Sequence, residues 1–170
     1  MTTPYMYSTS VPVFKQLLGS LGAILAKAEA FAADKKFEPK VLLDARLTPD
    51  MFPLSRQVQI ATDFARSVSA RLAGVDVPAY DDNEQAFAEL QGRIANTLAF
   101  IDSLNPAQFE GSETREIVLR PGTPKEKKLA GHAYLSNYGL PQFYFHAATT
   151  YAILRHNGLE IGKGDYMGAY

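Results

Sequence analysis

Residues 10–33, SVPVFKQLLGSLGAILAKAEAFAA, place Phe14, Leu17, Leu18, Leu21, Ile24, Leu25, Ala28 and Phe31 on one face of a helix, with Lys15, Lys27 and Glu29 opposite. Spacings of three and four predict one long amphipathic helix over Ser10–Ala33. Ser8, Thr9 and Ser10 offer an N-cap, and Pro12 suits the first turn, where no amide hydrogen is lost.

The same pattern recurs downstream. Lys35 to Pro53 reads as a structured connection with a short apolar run at Val41-Leu42-Leu43 and a brief helical turn. Leu54–Ala73 predicts a second helix, with Leu54, Val58, Ala61, Phe64, Ala65, Val68 and Leu72 on one face and Gly74 as the stop. Gln57 falls within that face, while Gln59 and Asp63 are expected to project away from it. A third helix is expected over Glu84–Leu104, carrying Phe87, Leu90, Ile94, Leu98, Ile101 and Leu104, and Asn105-Pro106 ends it.

The period then changes. Arg115–Arg120 is short and β-branched, and Pro121-Gly122 supplies the central residues of a type II turn, so a β-ribbon returning through Lys128, Leu129 and Ala130 is predicted. Leu140–His156 is the fourth long helix, with Phe143, Tyr144, Ala147, Tyr151 and Leu154 as its core stripe and Gln142, His146 and Thr149 along one flank. Arg155, His156 and Asn157-Gly158 close it. The tail Gly162–Gly168 is expected to lie against the helices through its tyrosine and methionine. The expected class is all-α: a four-helix bundle, one domain over residues 1–170, with a small β-ribbon between the third and fourth long helices.

Composition narrows the function. The chain has 170 residues, 46% of them apolar, which is enough for a well-buried core. A net charge of -1 with both signs mixed along the sequence argues against nucleic-acid and anionic-membrane partners. Without cysteine there are no disulfides, thiolate metal sites or cysteine nucleophiles, so chemistry must use oxygen and nitrogen groups. The amino terminus Met1–Tyr7 lacks the pattern of a secretory signal and no run of ~18 residues reads as a membrane span, which points to a cytoplasmic protein.

The histidines are His132, His146 and His156. On one helix, His146 and His156 are separated by a rise of roughly 15 Å, too far to share an ion, and His156 reads as a helix C-terminal cation. Gln142 and His146 are one turn apart, the spacing of a two-ligand helical metal motif with an amide in first place. Read alone, His146 is a hydrogen-bonded, partly buried histidine or a metal ligand, with the amide's weakness as a ligand favouring the first. Gln57 in an apolar face requires a partner or a cavity; a neighbouring helix or Tyr5 or Tyr7 could supply the partner, and ligand contact is the alternative. His132, placed at the end of the second strand, either faces solvent or reaches over the bundle end toward His146. The glycines around Lys163 have neither the spacing nor the hydroxyl of a phosphate loop.

Two motifs carry a resemblance: Asp50-Met51-Phe52-Pro53-Leu54-Ser55-Arg56-Gln57-Val58-Gln59 and Tyr151-Ala152-Ile153-Leu154-Arg155-His156-Asn157-Gly158. With them the chain resembles the DinB/YfiT-like superfamily over nearly its whole length, and within it a bacterial DinB-related domain-of-unknown-function family. That resemblance implies a divalent metal held by three histidines, one on the second helix and two in a His-x-x-x-His pair opening the last. It further implies thiol-dependent transferase or hydrolase chemistry and a homodimer. Here His146 matches the second histidine of the pair, Gln142 stands where the first would be, and Gln57 is the inward candidate on the second helix. Two functional readings follow: an altered metal-dependent transferase/hydrolase site in which Gln57, Gln142 and His146, with His132, hold a metal or act on a small substrate; or a non-enzymatic small-molecule-binding or interaction module that has lost the metal ligands.

Overall fold

Helices account for most of the chain in the computed structural model, which describes residues 3–170; the amino-terminal reading falls partly on Met1 and Thr2, outside them. A short helix α1 (Tyr5–Ser8) precedes the long α2 (Val11–Lys35). The turn α3 (Lys40–Leu43) interrupts the following connection, and α4 (Leu54–Ala73) and α5 (Phe87–Asp102) complete the first three long elements. Strands β1 (Glu116–Leu119) and β2 (Lys127–Ala130) pair antiparallel, with Ile117 opposite Leu129. A short α6 (Gly131–Tyr134) passes through a π-helical turn, Leu135–Gly139, into α7 (Leu140–His156), and α8 (Lys163–Met167) ends the chain. This is the expected all-α bundle of four long helices, with the ribbon between α5 and α7.

The core is the set of faces the spacings indicated. Phe14, Leu18, Leu21, Ile24 and Leu25 of α2, Leu54, Val58, Ala65 and Leu72 of α4, and Phe143, Ala147 and Leu154 of α7 are fully buried. Each large side chain removed from water contributes about 1.5–3 kcal/mol, so these faces hold the helices together. Phe14 meets Phe143 edge to face at 4.8 Å between ring centroids, tying α2 to α7. By length and composition alone an 18-residue stretch within Tyr5–Lys35, of mean hydropathy 1.2, is apolar enough to cross a membrane, where the sequence reading expected none. Its apolar face is nevertheless packed on the other helices.

Several local expectations are corrected. Ser8, Thr9 and Ser10 do not cap α2: their hydroxyls turn back to the carbonyls of Tyr5, Tyr5 and Met6, closing α1 instead. The third helix starts at Phe87, three residues later than expected, where the Glu89 carboxylate accepts the amides of Gln85 and Ala86. Gln59 and Asp63 do not project freely: Gln59 is buried and donates to Glu84, and Asp63 pairs with Arg66 and Arg93. Tyr144, assigned to the core stripe, is 40% exposed, and His146 occupies the buried face in its place. The tail docks through its tyrosine as expected, Tyr166 packing edge-on against Tyr151, and through backbone, Ser20 and Gln16 donating to the carbonyls of Tyr166 and Met167; only the Met167 side chain, also expected to pack, is exposed.

Two glycines let elements touch. A Cβ at Gly131 would fall 1.8 Å from the Ser112 carbonyl oxygen, so only glycine lets α6 lie against the backbone that leads into β1. A Cβ at Gly139 would meet Val68 Cγ2 at 2.7 Å, which marks the close approach of α7's entry to α4. That approach brings the site residues within reach of one another.

Candidate functional site

Gln57 lies in the first turns of α4 and His146 in the second turn of α7, and they meet across the α4–α7 interface. Gln57 Nε2 is 3.0 Å from the Phe52 carbonyl oxygen, which can only accept, so the amide nitrogen must face it. The other amide atom, Oε1, then faces His146 Nδ1 at 2.7 Å, and Nδ1 must carry the proton. The contact therefore fixes the tautomer: Nδ1 donates, and Nε2 keeps its lone pair with no protein partner among the described residues.

The ring sits in an aromatic frame. Phe64 stacks nearly parallel to it, with 6.2 Å between centroids, and Phe145 presents an edge-to-face contact at 5.1 Å. His146 is only 7% exposed. Burial, with the Arg56 cation nearby, lowers its pKa to about 4, so the imidazole is neutral at physiological pH. Gln142, one turn earlier, is half-buried and lines a hollow of about 270 Å³ with Asn137, Tyr138, Pro141 and Phe145. This hollow adjoins the histidine through its neighbour Phe145 and through Tyr138, which packs on Phe64.

His132 is not part of this site. It opens α6 instead of ending β2, is exposed, and both its amide and Nδ1 lie 3.0 Å from the Glu113 carbonyl oxygen, so it anchors the ribbon. His156 is exposed in the last turn of α7, as its reading as a terminal cation requires. The partner of Gln57 is His146, not Tyr5 or Tyr7.

The donors at the site do not fit the three-imidazole metal centre that the superfamily resemblance implies. Gln57 directs its amide toward Phe52 and His146, Gln142 offers only an amide, and His146 contributes one nitrogen. Among the described residues no three histidine, aspartate or glutamate side chains gather at one point. The Arg56 charge further disfavours a cation beside the ring. Amide oxygens are weak ligands for zinc or nickel, and one imidazole does not compensate for two.

A second polar assembly escaped the sequence reading. Arg93, nearly wholly buried, donates to Asp63, Asp82, Glu84 and the hydroxyl of Thr62. Arg66, also buried, bonds Asp63 and lies with its guanidinium carbon 3.9 Å from the Tyr80 ring centroid. Burial pushes the Glu84 carboxyl up, but hydrogen bonds from Arg93 and Gln59 bring it below its ordinary value. A signal was present: Gln59, Thr62, Arg66 and Ser69 recur at three, four and three, a buried polar stripe beside the apolar one on α4, and Arg93 interrupts the stripe of Leu90 and Ile94 on α5.

Comparison with known proteins agrees with the fold. The crystal structure of a DinB family member protein from Shewanella denitrificans is similar to this chain at a TM-score of 0.91 and 44% sequence identity, covering 96% of this chain and 92% of that one. No curated protein matches it. The family model described as Domain of unknown function (DUF1993) matches residues 6–167, and with the whole bundle, the ribbon and the Gln57–His146 contact inside that span, the chain belongs to this DinB-like family.

Proposed function

We propose that the protein is a small-molecule-binding module in which the hollow beside His146 receives a ligand without a metal ion. One observation carries this reading: Gln57 is locked between the Phe52 carbonyl and His146 Nδ1, so the residues at two of the implied ligand positions bond each other and leave one neutral imidazole acceptor, Nε2. Tyr138, Pro141 and Phe145 supply apolar walls and Gln142 and Asn137 supply polar points, the composition of a small-ligand site. The ligand class this suits is a flat neutral molecule that packs on Tyr138 and Phe145 and pairs with the Gln142 and Asn137 amides.

The test is metal content set beside ligand binding. Protein purified without chelators or affinity metals should contain less than about a tenth of an equivalent of Ni, Zn, Mn or Fe and take up no more on soaking, whereas the double variant Gln57→His, Gln142→His should gain stoichiometric metal. Phenol and benzamide should raise the wild-type Tm, and the rise should be lost in Gln142→Leu, which removes a polar point of the hollow. Wild-type protein that takes up metal as fully as the double variant, or shows no Tm response to these probes, would sink the proposal.

A further inference from the structure

We infer that a separate pocket between α4 and the ribbon binds a small oxyanion, a carboxylate or phosphate group, through Arg66, Arg71 and Arg120. The pocket encloses about 340 Å³ and is lined by these arginines with Asp63, Ser67 and Tyr138. It lies across the Phe64–Tyr138 pair from His146 and does not depend on the reading of that site.

Charge and hydrogen-bond capacity both point to an anion. Three guanidinium groups face one carboxylate, and that carboxylate is shared: Asp63 Oδ1 accepts from Arg66 Nη2 at 2.8 Å and from Arg93 Nη2 at 2.6 Å. Arg66 is 94% buried by its 6% exposure, yet its Nε and Nη1 have no hydrogen-bond partner among the described residues. The Tyr80 ring covers the face of the guanidinium, which does not satisfy the in-plane N–H groups. A buried cation with unpaired donors is costly, and although those two N–H groups are closed to solvent, an oxyanion in the adjoining pocket offsets the charge.

The other two arginines are also available. Arg71 makes one hydrogen bond, to the Tyr134 hydroxyl at 3.1 Å, and no ion pair; Arg120 has no side-chain partner among the described residues. Arg120 is held in the left-handed region at φ 51 where β1 turns into Pro121-Gly122, a conformation unfavourable for a residue with a Cβ. The ribbon thus places a third guanidinium at the mouth of a pocket in a chain whose overall charge is only -1. Guanidinium forks match the planar, two-oxygen geometry of carboxylate and phosphate.

Isothermal titration calorimetry tests this with sodium phosphate and disodium malonate as probes, each against sodium chloride at equal ionic strength. The expected result is saturable 1:1 binding of one or both with a Kd of about 1 mM or tighter, the stronger of the two identifying the oxyanion as phosphate or carboxylate. Arg71→Gln and Arg120→Gln, both at the less buried rim, should each weaken it about tenfold, the loss of one charge-assisted hydrogen bond, while Lys163→Gln on α8 should leave it unchanged. Heats no different from sodium chloride, or affinity undiminished in both rim variants, overturn the inference.

Discussion

Gln57→Leu tests the link between α4 and α7 most directly. The substitution keeps the approximate volume and removes both ends of the chain of bonds from the Phe52 carbonyl through the amide to His146 Nδ1. Phe52 is 53% exposed, so water can take over at its carbonyl and that loss is small. His146 Nδ1 is different: it is buried beside Phe64 and Phe145, and a tautomer switch only exchanges an unpaired donor for an unpaired acceptor. One stranded buried polar group costs about 1–3 kcal/mol. For a chain of this length each kcal/mol lowers Tm by roughly 2–4 °C, so a fall of about 2–12 °C is expected. Urea denaturation at pH 7 of wild type, Gln57→Leu, His146→Leu and the double variant completes a thermodynamic cycle. The double variant strands neither partner and should be more stable than additivity predicts by about 0.5–3 kcal/mol. A single-variant cost below about 0.5 kcal/mol, or strictly additive losses, would refute the pairing deduced from the donor and acceptor identities.

Two further expectations concern stability. Because the folded pKa of His146, about 4, lies below the unfolded value of about 6.5, the unfolded state binds the extra proton between these values; stability should be full above pH 6.5 and fall as pH drops toward 4, by about 3 kcal/mol. Denaturation midpoints across this window should show the slope, His146→Leu should flatten it, and a nuclear magnetic resonance titration giving an ordinary histidine pKa for this ring would count against it. Gly131→Ala should destabilise by about 1–3 kcal/mol or more because its methyl meets the Ser112 carbonyl, whereas Gly19→Ala, on the exposed side of α2 with nothing within 4 Å of its Cβ, should stabilise by about 0.4–1 kcal/mol. Calorimetric Tm values of equal sign for the two variants would contradict the packing described for them.

The fold was legible because hydrophobic periodicity is a local signal, and Leu54, Val58, Ala65 and Leu72 or Phe14, Leu18, Leu21 and Leu25 display it within one helix. The site was only half legible. Gln57 stood out as an amide among apolar residues, but its partner lies 89 positions away, and no spacing along the chain reveals that pairing. Tyr144 and His146 were exchanged between core and flank because a large aromatic outweighs an imidazole in any apolar stripe; packing against Phe64 and Gln57 reversed the order. The Arg93 assembly was illegible for a related reason. Asp82 and Glu84 sit in a loop whose path over α4 is a tertiary fact, and without them Arg93 is an unexplained charge in α5. His132 was misplaced because β2 ends at Ala130 and the chain turns helical at Gly131, where a missing Cβ makes room that composition alone does not disclose.

The π-helical turn Leu135–Gly139 works as a phase adjuster. Each residue of an ordinary helix advances the chain by roughly 100° of rotation, so a wider turn lets α6 and α7 run on in sequence while facing different neighbours. Upstream of it Gly131 lies against Ser112; at its last position Gly139 lies against Val68. Deleting a single residue from the turn would restore the regular pitch and swing one of those glycines out of register by about a quarter of a revolution. The length of five residues therefore synchronises two docking events, that of the ribbon and that of the last helix.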